Sequence, residues 1–192
     1  MINFRKATFV KSCPNLKDAP KGNLSEVLIC GKSNVGKSSL INALCDNKKL
    51  AFTSSKPGHT RLLNYFDIDG KFWLVDAPGY GFAKGGVDLD ALFGEMMSSY
   101  LYDNPRLKLV LLLLDSRRKM NENDTEMLQF CIENNIDFLI VITKSDKINQ
   151  SEKSALFKHL KEIGIDKEKA FLTSILDKNS LSKLKGEIEK HI

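Results

Sequence analysis

The stretch VLICGKSNVGKSSL, residues 27 to 40, sets an apolar run directly before a glycine-rich loop and a helix start. Gly31, Lys32, Ser33, Asn34, Val35, Gly36, Lys37 and Ser38 match G-x-x-x-x-G-K-[ST] in full, a motif that requires a strand before it and a helix after it. Such a loop is a phosphate cradle. Its glycines let backbone N–H groups converge on a β-phosphate, and the helix start adds its positive end. Lys37 neutralises β- and γ-oxygens, and Ser38 offers a hydroxyl to Mg²⁺.

The rest of the chain repeats that alternation. Strand-like runs at 26–30, 62–68, 71–76, 108–115, 137–143 and 169–174 are interleaved with helical patterns from Lys37 and near 88–102, 123–134, 151–163 and 179–191. Strand alternating with helix predicts an α/β domain with a mostly parallel, six-stranded sheet covered on both faces. Asp69-Gly70 lies between two of the runs, and that dipeptide favours a hairpin turn, so the sheet is expected to be mixed, with one antiparallel edge strand. The segments 51–61, rich in Ser, Pro and Gly, and 77–88, with five glycines or prolines, lack periodicity.

Size and composition narrow the classes. A chain of 192 residues is expected to form one domain spanning 1–192. The net charge of +5 comes from Lys and Arg spread along the whole chain, so any polyanion surface is a patch assembled by folding. Cys13, Cys30, Cys45 and Cys131 have no C-x-x-C spacing, which suggests neither a disulfide framework nor zinc and fits a reducing compartment. The start MINFRKATFVKS lacks the apolar core of a signal peptide, and LVLLLL (109–114) is too short to span a bilayer. A soluble, cytoplasmic protein with no membrane partner is expected.

A triphosphate site needs a second carboxylate near the metal, at the end of a neighbouring strand. Asp76 opens Asp76-Ala77-Pro78-Gly79, where Gly79 lets a bare backbone N–H approach a γ-phosphate. Asp115, after LVLLLL, is the alternative and would suit a P-loop ATPase or nucleotide kinase. Thr143-Lys144-Ser145-Asp146 follows the run DFLIVI, at the strand end where ligands bind in open α/β sheets. A carboxylate at Asp146 can accept from guanine N1–H and the exocyclic amine, whereas adenine would leave it unpaired. The Lys144 stem can cover the face of a base. Thr173, Ser174 and Ile175, after the next strand, are placed to offer a backbone N–H to the guanine O6.

These blocks in this order resemble the TRAFAC GTPases, and GKSNVGKSSLINAL, SSKPGHTRLLNYF, WLVDAPGYGFAK, TKSD and ATFVKSCPNLKDAP are similar to the EngB (YihA/YsxC) family across nearly the whole chain. The resemblance implies a Ras-like P-loop fold, one EngB-type G domain, GTP/GDP binding with Mg²⁺, and slow hydrolysis. It further implies a role in large ribosomal subunit assembly, with its rRNA as partner, and in normal division and septation. It implies that Gly58, His59, Thr60, Arg61 and Leu62 form a first switch against the nucleotide, with the Thr60 hydroxyl joining Ser38 on Mg²⁺ and Asp76 acting through water. Lys37, Thr60 and Gly79 are then the catalytic set. Asn34 resembles the asparagine of potassium-activated relatives, which makes K⁺ a candidate.

The sequence departs from the pattern at His59, where Arg is frequent, at Thr143 in place of the more general Asn, and in RRKMNEND (117–124). Tyr80 stands where Ras-type enzymes carry the water-orienting glutamine. Lys32, Lys56, Arg61, Lys84, Arg117, Arg118 and Lys119, with Tyr80 and Phe82 as aromatics, are the candidate surface for RNA or protein. A monomer is expected. The rival readings are a nucleotide-gated interaction module in division, for which hydrolysis is incidental, and the ATPase built on Asp115.

Overall fold

The computed structural model describes residues 1–52, 62–80 and 89–192. Seven strands form one sheet in the order β1-β3-β4-β2-β5-β6-β7. They are β1 (Ala7–Cys13), β2 (Ser25–Gly31), β3 (Leu63–Ile68), β4 (Phe72–Asp76), β5 (Leu107–Asp115), β6 (Phe138–Thr143) and β7 (Ala170–Leu172). The helices are α1 (Lys37–Leu44), α2 (Leu89–Tyr102), α3 (Glu122–Glu133), α4 (Gln150–Glu162) and α5 (Lys178–Glu189).

The six expected strands are present, and β1 is a seventh. It escaped the sequence pattern because only its end residues, Ala7 and Cys13, are buried, so no alternation marks it. Backbone pairing with β3, not burial, makes it a strand. The one reversed strand is β3, antiparallel to both β1 and β4, and it lies second because β1 takes the edge. A register shift between Phe9 and Lys11 interrupts the β1–β3 ladder, which together with the lysine blunts the free edge. The β3–β4 turn is the expected one: Asp69 and Gly70 have φ of 57° and 64°, and the Lys71 N–H donates to the Ile68 carbonyl.

The apolar run of β5 is continuous because both of its faces are covered. Leu109, Leu111 and Leu113 face a layer with Leu40, Ile41 and Leu44 of α1 and Leu181, Leu184 and Ile188 of α5. Val110, Leu112 and Leu114 face the opposite layer, with Met97 and Tyr100 of α2, Met127 and Leu128 of α3, and Leu160 of α4. The four cysteines are buried free thiols. No helix among the described residues is long and apolar enough to cross a membrane.

The strands β4, β2, β5, β6 and β7 pair in parallel and end on the same side of the sheet, and the candidate site lies there. Their opposite end is closed by a buried charge. Glu26 is fully buried; its Oε2 accepts from Tyr100 OH at 2.5 Å and Asn104 Nδ2 at 2.8 Å, while Oε1 meets Arg106 Nη2 at 2.8 Å. Removing the cation strands a buried carboxylate, which typically costs about 3–5 kcal/mol. Arg106→Ala is therefore expected to lower the urea-unfolding free energy by about 3 kcal/mol, and a loss below about 1 kcal/mol would show that water replaces the guanidinium.

Candidate functional site

The glycine-rich loop joins β2 to α1 and is fixed by backbone geometry. Gly31 has φ 150°, and a Cβ there would lie 2.8 Å from the Leu113 carbonyl oxygen of β5, so a side chain is excluded on steric and conformational grounds. Gly36, at φ 111°, opens α1 without a side-chain cap. In contrast, α3 and α4 begin with complete capping boxes, Asn121 with Asp124 and Asn149 with Glu152. The first amides of α1 are thus left for something other than a side-chain cap. Asn34 is exposed at φ 63°, a conformation asparagine tolerates, and that demand accounts for the residue without an ion.

Lys37 and Asp76 interact electrostatically beside the loop without forming an ion pair. The Lys37 ammonium lies 3.5 Å from the Gly31 carbonyl, and burial lowers its pKa against the pull of Asp76. Asp76, at the end of β4, is 6% exposed, and its Oδ1 has no hydrogen-bond partner among the described residues. Burial pushes its carboxyl up to about 6, with Lys37 opposing. An orphaned buried carboxylate oxygen fits a hard divalent cation such as Mg²⁺, which prefers oxygen and retains waters.

The segment after Asp76 closes on the loop. The Ala77 N–H donates to the Ile29 carbonyl at 2.9 Å, and Pro78 is buried. A Cβ on Gly79 would sit 2.8 Å from Ser33 Cα and 2.9 Å from Lys37 Nζ. The Ser33 N–H donates to the Tyr80 carbonyl at 3.0 Å, and a bridge joins Lys32 and Tyr80. Tyr80 is no docking aromatic: it is 2% exposed and its hydroxyl donates to Asp124. Asp124, fully buried, also accepts from Arg118 Nη1 at 2.7 Å and the Asn121 N–H at 3.0 Å. Gly58, His59, Thr60 and Arg61, with Lys56, Phe82 and Lys84, lie outside the described residues, and Leu62 is exposed.

The predicted base-reading residues gather at the ends of β6 and β7. A cavity of about 280 Å³ runs between the phosphate-loop side, at Val35, Gly36, Ser39 and Leu40, and Thr143, Lys144, Asp146 and Ile175. Thr143 ties the two sides, donating to the Val35 carbonyl at 2.8 Å with the Leu114 carbonyl at 3.1 Å. Lys144 Nζ donates to the Asn34 carbonyl at 3.2 Å. Asp146 Oδ1 accepts from Ser174 Oγ at 2.7 Å, and that bond, with Lys147 at 3.3 Å, holds its carboxyl below the usual range. The Ser145 N–H donates to the Thr173 carbonyl at 3.1 Å, joining the two base-side segments.

Asp115 is engaged by cations of the domain. Its oxygens are taken by Lys144 Nζ at 2.8 Å and by Arg117, which removes the basis for the ATPase alternative. Arg117 and Arg118, expected on a polyanion surface, are both in ion pairs with carboxylates of the domain. Ser39, Leu40, Lys147 and Leu176 also line the cavity. Ser39 and Leu40 could have been inferred from the helical phase of α1. Lys147 and Leu176 carry no signal in one sequence.

Comparison with known proteins agrees with this geometry. The family model described as "50S ribosome-binding GTPase" matches residues 26–144. The probable GTP-binding protein EngB of Thermoanaerobacter pseudethanolicus is 37% identical over 191 residues, covering 99% of this chain and 100% of the relative. That of Fusobacterium nucleatum is 40% identical and covers 100% and 99%.

The chain belongs to the EngB family of GTP-binding proteins.

A crystal structure of a probable GTP-binding protein engB superposes with a TM-score of 0.70 at 21% identity, over 88% of this chain and 98% of that one. Era, solved with MgGDPNP and a segment of 16S ribosomal RNA, superposes with a TM-score of 0.66 at 26% identity, over 89% of this chain and 57% of Era. The fold is Ras-like, and the EngB-family chain binds guanine nucleotide and hydrolyses GTP.

Asp76 makes the nucleotide-free protein sensitive to pH. Its folded pKa of about 6 exceeds the ordinary 3.8, so between those values the native state keeps a proton that the unfolded chain has released. The stabilisation is full below the ordinary value and is lost as pH rises through about 6. Urea unfolding of the EngB-family chain and its Asp76→Asn variant at pH 4 and pH 7 should therefore diverge by up to about 3 kcal/mol, in favour of the variant at pH 7. A constant difference across that range would rule out an elevated Asp76.

Proposed function

We propose that the chain acts as one G domain, a guanine-nucleotide switch in assembly of the large ribosomal subunit, with normal division dependent on that role. The observation that carries the reading is the cavity linking the Gly31–Ser38 loop to Asp146, whose carboxyl is held ionised by Ser174.

In this reading Gly31 to Ser38 bind the phosphates, with α1's uncapped end and Lys37 facing the β- and γ-oxygens. Asp146 accepts from the guanine edge, Lys144 covers the base, and Thr173 to Ile175 supply the O6 contact. Ser38, Asp76 and Thr60 are the residues that would hold Mg²⁺, Asp76 through water. A bound Mg²⁺ would supply charge neutralisation on the β- and γ-oxygens. Gly79, in close contact with Ser33 and Lys37, is placed to sense whatever displaces it from the loop.

Hydrolysis by the isolated chain is expected to be slow. Tyr80 occupies the position of the water-orienting glutamine, and its hydroxyl is committed to Asp124. Among the described residues no arginine is evident to act as a finger, a contribution worth roughly 10³–10⁵ in rate. The ribosomal reading draws support from the family model's description and from Era, captured with ribosomal RNA, together with the net charge of +5. The cytoplasm is the compartment consistent with four unpaired thiols.

Two measurements test the proposal. Titration calorimetry should show GDP affinity falling at least about 100-fold in Asp146→Ala, with weak ATP binding unchanged. Tight ATP binding indifferent to that substitution would reject the base assignment. Co-sedimentation with large ribosomal subunits should occur with a non-hydrolysable GTP analogue, not with GDP, and weaken as salt rises. Equal pelleting in every nucleotide state would reject the switch.

A further inference from the structure

Lys144 is held at both ends. Its backbone is left-handed, φ 57°, a region side-chain-bearing residues seldom occupy. The Lys144 carbonyl accepts from Ser116 Oγ at 2.8 Å, and the Ser116 N–H donates to the Thr143 carbonyl at 3.0 Å. At the far end, Nζ donates to Asp115 Oδ2 at 2.8 Å and to the Asn34 carbonyl at 3.2 Å.

Asp115 is in turn fixed by a fork. Arg117 Nη2 donates to Oδ2 at 2.7 Å, Nε to Oδ1 at 2.9 Å, and the Arg117 backbone N–H to Oδ1 at 3.1 Å. Both carboxylate oxygens are therefore engaged, in a residue 8% exposed. The Arg117 contact holds the Asp115 carboxyl well below the ordinary range, so the lysine faces a permanent anion.

We infer that Asp115 is a positioning residue of the nucleotide site: braced by Arg117, it holds the Lys144 ammonium beside the Asn34 carbonyl and fixes the lysine stem along the cavity wall. The inference rests on the proposed guanine site. The physical need is clear from the lysine itself. A four-carbon stem loses considerable rotamer freedom when ordered by a ligand, and a stem already ordered spares binding that loss. The Asn34 carbonyl is a single neutral acceptor at the longer of the two distances, and charge-assisted bonds are the stronger kind. Because Asp115 meets the base-side lysine and not Lys37 or Asp76, its effect should be equal for GDP and GTP.

The test is stopped-flow dissociation of fluorescently labelled GDP and GTP analogue from the full chain. Wild-type protein should release label to excess GDP and not to excess ATP; failure at that step rejects the guanine site itself. Given that result, Asp115→Asn is expected to release both nucleotides about tenfold faster. Lys144→Met should release them at least as fast, and adding Asp115→Asn to Lys144→Met should change nothing further, as required if the aspartate acts through the lysine. Asp115→Asn at the wild-type rate, or a double variant in which the two factors multiply, would overturn the inference. Should Asp115→Asn fail to fold, Arg117→Gln decides. Its side chain is 54% exposed, it should release nucleotide about threefold faster through loss of the fork, and an unchanged rate overturns the brace.

Discussion

The loop from Gly31 to Ser38 is where the backbones of the sheet converge, and its shape rests on contacts that tolerate no added atom. Gly31 lies against the Leu113 carbonyl of β5, and Gly79 after β4 lies against Ser33. Thr143 of β6 donates to Val35, and Lys144 beyond it to the Asn34 carbonyl. Three neighbouring strands therefore hold one loop. A shift of the loop would require several strand ends to move together, so the rigid sheet specifies the cradle more firmly than the loop's own sequence does.

The bond from the Ser33 N–H to the Tyr80 carbonyl gives the contact with β4 a further meaning. It joins the proposed phosphate loop to the residue after Gly79. Tyr80 is anchored at its other end to Asp124, the residue that completes the α3 capping box and pairs with Arg118. A displacement of Gly79 from the loop would thus pull against the first turn of α3 and residues 117–121 before it.

Much of this was legible in the residues because the requirements are local. G-x-x-x-x-G-K-S needs only its own glycines and the flanking strand and helix, and Asp69-Gly70 sets its own turn. The β5 run, with Leu109 and Val110 facing opposite layers, announced a doubly covered sheet. What escaped depends on long-range pairing. β1 is a strand only because β3 lies beside it; Tyr80 is buried because Asp124 is there to accept its hydrogen bond. Asp115 ends its strand as a metal-binding carboxylate might, and nothing local distinguishes that role from an ion pair with Lys144, which is 29 residues away.

Three aspartates at the ends of parallel strands, or just beyond them, show how one residue type is set to different tasks. Asp115 and Asp146 have cationic or hydroxyl partners that hold them ionised, whereas Asp76 is buried with one oxygen unmet and is pushed up to about 6. Hydrogen bonds outweigh desolvation in the first two, and desolvation outweighs Lys37 in the third. The proposed base end of the site therefore keeps its acceptors at any physiological pH. At the proposed metal end, where Asp76 is pushed up to about 6, a divalent ion would favour the carboxylate that burial disfavours and so displace its proton below about pH 6. The two ends of the proposed site are thus separable by pH: cation binding at Asp76 should depend on it, and guanine recognition at Asp146 should not.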